Sequence, residues 1–189
     1  SAADLNNLIA GEYQVVVNDS NGCTITDTYT LNQPTAISVS ETFSNYNGFG
    51  VSCNGSNNGA INIDVSGGYL DNGSNYVYSW TGPNGFTSNN EDLSNLLAGT
   101  YVLTVTDDND CIYNESYVIT QPEEIIINET ISDYNGFQVS VFGASDGEIS
   151  LDISGGTEQY TYQWSTVNGN GLDVNSKNQS GLTIGTYTV

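Results

Sequence analysis

The sequence predicts an all-β fold made of tandem, immunoglobulin-like antiparallel β-sandwich repeats of about 88 residues. Three observations support this prediction. The chain repeats itself at a constant offset, apolar residues alternate with polar ones in most segments, and no segment has the 3.6-residue period of a helix. Gly, Asn and Asp clusters separate about seven short segments in the complete repeat, as turns separate strands.

The internal repeat fixes the domain organisation. "DLNNLIAGEYQVVVNDSNGCTITDTYTLNQP" (4–34) aligns without a gap on "DLSNLLAGTYVLTVTDDNDCIYNESYVITQP" (92–122), an offset of 88 residues, and "YNGF" recurs at the same offset. Each aligned segment ends in Gln-Pro, and proline interrupts a strand ladder. We therefore predict the C-terminal part of one repeat (1–34), a complete repeat (35–122), and a following repeat truncated before its last strand (123–189).

The Gln-Pro junctions predict closely abutting units. An 88-residue unit is long enough to bury its own core, and no Gly/Ser-rich spacer lies between the units. The chain begins without Met, in the middle of a repeat and with no recognisable signal peptide, so we expect it to be an internal piece of a longer protein.

Within the complete repeat the predicted strands follow one another closely. "AISVSETF" and "FGVSCN" flank an "NYNG" turn, and "AINIDVS" places Ile61, Ile63 and Val65 on one face. "YVYSW", the short "EDLSNLLAG" and "TYVLTVTD" follow, with Tyr101 pointing inward. The acidic turn "DDND" then leads into "YVITQP".

Aromatic residues alternate along one predicted strand. Tyr76, Tyr78 and Trp80 share one face of it, and Trp164 is the counterpart of Trp80 in the next repeat. One face of a strand that crosses a sandwich is core, so we predict that these residues and Tyr101 are core residues. The alternative is a ring platform on which sugars stack.

Composition excludes several functions. The chain has 22 acidic residues, one Lys, no Arg and no His, for a net charge of −21. Nucleic acid and anionic membranes need basic residues, and the absence of His removes Ser/His/Asp and Cys/His catalysis. No apolar run approaches the roughly 20 residues of a membrane span. With 11% aromatic residues, we expect a folded, non-catalytic chain without membrane insertion.

The order and spacing of the motifs resemble the SprB repeat, found in very long cell-surface adhesins of gliding Bacteroidetes. The motifs here are Cys53-Asn54-Gly55, Asn58-Gly59-Ala60-Ile61, Ser66-Gly67-Gly68, Tyr76-Val77-Tyr78-Ser79-Trp80, Leu96-Leu97-Ala98-Gly99-Thr100-Tyr101 and Val105-Thr106-Asp107, up to Cys111. The third repeat departs from the pattern, with Val141 in place of Cys53 and "VNGNGLDVNSKNQSG" in place of the usual loop.

This resemblance implies a cell-surface, extracellular protein exported by the type IX secretion route. Its partners would be neighbouring repeats of the same chain together with the gliding and secretion machinery. The resemblance supplies no catalytic residues.

The three cysteines suggest a disulfide. Cys53 and Cys111 lie 58 residues apart in the complete repeat, a separation that two strands of a sandwich can bring together, so we predict a Cys53–Cys111 disulfide in an oxidising exterior. The alternatives are a Cys23–Cys53 pair across the junction, or reduced and buried thiols.

The acidic turns suggest a calcium site. Asp107, Asp108 and Asp110, with Asp19 at the same turn of the earlier repeat, supply oxygens that Ca²⁺ binds. Asp and Asn are also ordinary turn residues, and the bidentate Glu of an EF-hand is missing. A second candidate calcium site lies near the junctions and uses acidic residues there: Glu41, Glu123 and Glu124. No other cofactor is expected.

An enzyme would need paired carboxylates. Asp146 and Glu148 lie two residues apart, but their counterparts are Asn58 and Ala60, and nothing places another carboxylate opposite them. Lys177 is the only lysine, so the complete repeat has no Lys for an isopeptide bond. We therefore expect non-catalytic stalk repeats of a very large surface adhesin. The alternative is a module that binds surface polysaccharide through exposed Tyr and loop Asn.

Overall fold

The computed structural model describes residues 4–189 of the chain. This part contains fourteen β-strands and no α-helix. All strand pairings are antiparallel. The predicted all-β fold class is confirmed. In chain order the strands are β1 (Gly11–Asn18), β2 (Thr24–Leu31), β3 (Ser38–Phe43), β4 (Gly59–Ser66), β5 (Val77–Thr81), β6 (Thr87–Ser88), β7 (Leu93–Leu96), β8 (Gly99–Thr106), β9 (Ile112–Ile119), β10 (Ile126–Ile131), β11 (Gly147–Ser154), β12 (Ser165–Thr166), β13 (Gln179–Leu182) and β14 (Tyr187–Thr188).

The segment 35–122 contains seven strands in two sheets. One sheet has the order β3-β4-β7 and the other β6-β5-β8-β9. The long hairpin β8–β9 keeps an unbroken register from Gly99↔Ile119 to Thr106↔Ile112. β5 pairs with β6 and β8, whereas β4 and β7 lie in the other sheet, so the chain crosses between layers as it does in immunoglobulin-like sandwiches.

The core lies between these two sheets. Apolar residues at alternate positions of β4 and β8 meet there, because successive side chains of a strand point to opposite faces. Burying one such side chain stabilises the fold by about 1.5–3 kcal/mol. The buried cluster consists of Val51, Ile61, Ile63, Trp80, Leu93, Leu96, Tyr101, Leu103, Val105, Tyr117 and Ile119.

A tyrosine at the start of β8 fixes the crossing between the sheets. The Tyr101 hydroxyl donates to the carbonyl oxygen of Leu97, four residues upstream, at 3.0 Å. Tyr13 and Tyr187 make the same i−4 hydrogen bond in the flanking units, each at 2.7 Å. This arrangement is the tyrosine corner of immunoglobulin-like folds. It explains why Gly-x-Tyr recurs at this point of each repeat.

The flanking units reproduce parts of the same design. β1–β2 pairs like β8–β9, but Val15 and Val17 are 43% and 55% exposed, whereas their counterparts Leu103 and Val105 are fully buried. In residues 123–189, strands β10-β11-β13 form one sheet and β12-β14 the other. No helix within residues 4–189 is long and apolar enough to cross a membrane.

Candidate functional site at the repeat junction

The two indoles lie inside the sandwiches. Trp80 is 1% exposed, its indole N–H donates to the carbonyl oxygen of Asn90 at 3.0 Å, and its ring centroid lies 5.8 Å from that of Tyr117. Trp164 is 5% exposed and donates in the same way to Ser176 at 2.9 Å. Rings enclosed in this way are packing residues and offer no face to a ligand.

Tyr76 and Tyr78 lie at the margin of the core. Both are half-buried and pack against the central cluster, with their ring centroids 6.4 Å apart. Burial, reinforced by the nearby Glu91 carboxylate, raises the pKa of Tyr78 to about 12. The Tyr76 hydroxyl donates to the carbonyl oxygen of Gly67 at 2.7 Å and so connects this strand to the Ser-Gly-Gly motif.

The Ser-Gly-Gly motif holds the chain where it enters a repeat. Gly67 and Gly68 have φ angles of 80° and 64°, which glycine adopts without strain. The Gly68 N–H donates to the carbonyl oxygen of Thr35 at 2.8 Å. A Cβ atom on Gly67 would overlap the carbonyl oxygen of Ala36, so only glycine allows the incoming chain to lie this close.

A second loop holds the chain where it leaves the repeat. We call residues 50–55 the exit loop. The backbone N–H groups of Gly50 and Val51 donate to the carbonyl oxygen of Thr120 at 3.0 and 3.1 Å. The Gly55 N–H donates to the Gln121 side-chain oxygen at 3.0 Å, and the Asn54 amide donates to the Pro122 carbonyl oxygen at 3.1 Å. Pro122 itself is fully buried.

The following repeat binds Glu123, the residue directly after Pro122. The carbonyl oxygen of Glu123 accepts a hydrogen bond from the Gly156 N–H at 2.8 Å, as Thr35 does from Gly68 in the preceding unit. Consecutive residues, Pro122 and Glu123, are therefore bound by opposite repeats. No residue of the junction is left as a free linker, which restricts the motion of one unit against the other.

Side chains from both units line the cleft around this junction. In one cleft the complete repeat contributes Cys53 and Asn54 of the exit loop. In an adjoining cleft it contributes Asn47 and Phe49 of the "YNGF" turn. Gly156 of the following unit borders both clefts. The Cys-Asn-Gly motif thus lies at this junction, and Trp80 of the aromatic motif lies in the core.

The acidic turn has a structural role. The Asp107 carboxylate accepts hydrogen bonds from the backbone N–H groups of Tyr69 at 2.8 Å and of Asn109 and Cys111, each at 2.9 Å. These bonds, with that from Tyr69 first, lower the pKa of Asp107. Asp108 accepts from the Asp71 N–H at 2.7 Å.

The calcium candidates therefore already have other partners. Of the three predicted ligands, Asp107 and Asp108 bind backbone N–H groups, and Asp110 is an exposed turn residue with φ of 60°. Glu41, Glu123 and Glu124 are all exposed, and within residues 4–189 no three or more His, Cys, Asp or Glu side chains form a group that could hold a metal ion. Calcium binding remains a prediction without geometric support.

The predicted Cys53–Cys111 disulfide is wrong. All three cysteines are free and exposed. Cys111 precedes β9, whereas the exit loop that carries Cys53 pairs with Thr120 beyond the other end of that strand. Nine residues of extended chain span about 30 Å, while a disulfide needs Cα atoms about 4.4–6.8 Å apart. Cys23 is free as well, so the alternative Cys23–Cys53 pair is not formed, and exposure also excludes the buried-thiol alternative.

The remaining candidates do not form a reactive group. The Asp146 carboxylate accepts a hydrogen bond from the Ser140 N–H at 3.1 Å, which matches the bond from Ser52 to Asn58 in the complete repeat. Hydrogen bonding by Ser140 lowers the pKa of Asp146. Glu148 and Lys177 are exposed. Asp146 therefore fixes a loop.

Sequence reasoning missed the hydrogen bonds at the exit loop. The sequence pattern identified Asn54 and Gly55 only as members of the Cys-Asn-Gly motif. It identified Gln121 only as part of the Gln-Pro that ends the repeat. Their partners lie 66–68 residues away along the chain, which no local pattern reveals. The available signal was the recurrence of Gln-Pro at the end of each aligned segment.

The comparison with known families agrees with this geometry. The model of the SprB repeat matches the chain twice, over residues 51–85 and 139–169. The first match runs from the exit loop through the Ser-Gly-Gly motif to the strand that carries Trp80. No curated protein matches the chain. Two segments of the chain, at corresponding positions of successive units, thus match the SprB repeat, an adhesin-type structural repeat of cell-surface proteins.

Proposed function

We propose that this chain, two segments of which match the SprB repeat, is a non-catalytic stalk segment of a very large secreted surface adhesin. This adhesin would support adhesion and gliding motility. Its units would be 1–34, 35–122 and 123–189, and its immediate partners the neighbouring repeats. By family resemblance, the gliding machinery would carry the parent protein and the type IX route would export it to the cell surface.

The observation that carries the proposal is the junction without a linker. Because Pro122 and Glu123 are bound by opposite repeats, a pull on one unit passes directly through the backbone to the next. Strands of 8 residues such as β8 and β9 rise about 3.3 Å per residue, so each unit adds roughly 30 Å of length. Short connections between such units build a stiff rod.

The surface chemistry suits an exposed filament. A net charge of −21 makes neighbouring filaments repel one another, which opposes clumping. A single Lys and no Arg leave almost no cleavage site for trypsin-like proteases. Both indoles are enclosed in the sandwiches, which argues against a stacking platform for sugars at Trp80 or Trp164. The carbohydrate-binding alternative then depends on exposed Tyr and loop Asn.

A linker insertion tests the stalk proposal. We expect six residues of Gly-Ser inserted between Pro122 and Glu123 to broaden the distance distribution from small-angle X-ray scattering, because each repeat keeps its fold while the junction loosens. The matched control inserts the same six residues between Asn72 and Gly73, in an exposed turn of the complete repeat. If both variants and the unmodified chain give the same distribution, the junction is already flexible and the stalk proposal fails.

A further inference from the structure

One edge of the complete repeat brings the two sheets together. β3 and β9 are the outermost strands of their sheets, and the ring centroids of Phe43 on β3 and Tyr117 on β9 lie 5.8 Å apart. Just beyond these rings, the Ser44 hydroxyl donates to the Gly50 carbonyl oxygen at 2.6 Å, and the Gly50 N–H donates to the Thr120 carbonyl oxygen at 3.0 Å. The two strands therefore run side by side in the same direction.

Two carboxylates lie at matching positions on these strands. Glu41 and Glu115 precede Phe43 and Tyr117 by two residues, so each lies on the same side of its strand as the ring. Both side chains are exposed at the rim of the sandwich. The complete repeat, residues 35–122, contains no Lys or Arg, so no basic side chain of this unit neutralises the two charges.

Acidic residues recur at both positions. At the offset of 88 residues, the counterpart of Glu41 is Glu129 and the counterpart of Glu115 is Asp27. Glu129 lies opposite Leu151, a buried core residue, as Glu115 lies opposite Leu103. The carboxylates on the core-facing side of these strands are thus a feature of the repeat.

A buried polar group without a partner lies beneath the two charges. Tyr117 is 5% exposed, and its hydroxyl makes no hydrogen bond. Burial, followed by the neighbouring Tyr113 hydroxyl and the Glu41 and Glu115 carboxylates, raises the pKa of Tyr117. A buried hydroxyl without a partner is rare in native structures and calls for an explanation. We call this set of five side chains the acidic edge: Glu41, Phe43, Tyr113, Glu115 and Tyr117.

We infer that the acidic edge binds the guanidinium group of an arginine side chain on a basic partner protein. A guanidinium group carries five N–H donors in a planar fork, so it bridges two carboxylates on different strands and stacks on aromatic rings. The Tyr117 hydroxyl oxygen supplies a further acceptor. Two carboxylates provide too few oxygens for Ca²⁺, which takes six to eight. A second copy of this sequence has no arginine to offer. This binding site goes beyond the stalk function and does not depend on it.

Titration of the 1–189 chain with N-acetyl-arginine amide tests the site. We expect two-dimensional ¹H–¹⁵N NMR to show saturable shifts of the backbone amides of β3 and β9, with a Kd on the order of 1 mM for so small a ligand. N-acetyl-citrulline amide, which has the same shape without the charge, leaves these amides unshifted. A probe with one charge is needed because a polycation would bind anywhere on a chain of net charge −21.

Single substitutions that each remove one charge identify the ligands. Glu41→Gln and Glu115→Gln should each weaken binding about fivefold or more, because each removes one charge-assisted hydrogen-bond acceptor. The matched control is Asp64→Asn, which removes an exposed charge from β4 and should change the Kd less than about twofold.

Three results would overturn the inference. The first is that the citrulline analogue or CaCl₂ shifts the same amides as the arginine analogue does. The second is that Asp64→Asn weakens binding as much as Glu41→Gln. The third is that the two Glu→Gln variants bind the arginine analogue normally but self-associate, which would show that the charges only keep the edge strands from pairing with another chain.

Discussion

Replacing tyrosine by phenylalanine is expected to change the stability of the complete repeat in opposite directions at Tyr101 and at Tyr117, which lie in neighbouring strands. The Tyr101 hydroxyl donates to Leu97 at 3.0 Å. The buried Tyr117 hydroxyl has no hydrogen-bond partner. Replacing either by Phe removes one oxygen and leaves the ring that packs in the core. Only the Tyr101 variant loses a hydrogen bond.

The magnitudes follow from the cost of making or missing such a bond. Tyr101→Phe should destabilise the repeat by about 1 kcal/mol. Tyr117→Phe should stabilise it by about 1 kcal/mol, because a buried hydroxyl without a partner costs free energy in the native state. For a domain of this size the two melting temperatures should differ by roughly 8–16 °C.

Urea unfolding measured by tryptophan fluorescence checks this pair. A Trp164→Phe background leaves Trp80 as the only indole, since the chain has two, so the signal reports on the complete repeat. Equal destabilisation by both substitutions would refute the reasoning, because it would mean that Tyr117 also makes a native hydrogen bond.

Three further predictions follow from the same contacts. Asp107→Asn should lower the melting temperature at neutral pH. Because the native state depresses the pKa of this carboxyl below 3.8, the difference from the unmodified chain should shrink as the pH falls below that value. Tyr78, with a pKa raised to about 12, favours the folded state below about pH 10 and loses this contribution as the pH rises through 12. Tyr78→Phe should therefore flatten the alkaline decline in unfolding free energy. Titration of the native, unreduced chain with a thiol reagent should count three thiols: Cys23, Cys53 and Cys111. A count of one thiol would instead show that two of the three cysteines form a disulfide.

The fold was predictable because its determinants are local and repeated. Alternation along β4 and β8 predicted which faces are buried, and the 88-residue offset transferred each assignment to the next unit. The interior position of Trp80 followed from the same alternation. Val102 and Leu103, adjacent on β8, are 41% and 0% exposed, as a period of two requires.

The junction and the cysteines were not predictable in this way. Sequence separation alone did not reveal that Cys53 and Cys111 lie at opposite ends of β9, because it carries no information on which end of a strand a loop reaches. The exit loop binds residues that are distant in sequence. Asp107 looked like a metal ligand because carboxylates suit both cations and backbone N–H groups, and only the positions of the Tyr69, Asn109 and Cys111 amides decide between them.

The distance distribution between spin labels across the junction tests the central claim most directly. In a background with the native cysteines replaced by Ser, labels at Ser116→Cys and Ser150→Cys, both exposed on strands, report the arrangement of the two units. A pair at Ser94→Cys and Ser116→Cys gives the width expected within one unit. We predict that the distribution across Pro122–Glu123 is single and as narrow as this reference. A broad or multi-peaked distribution would contradict the account of the repeats as a stiff stalk.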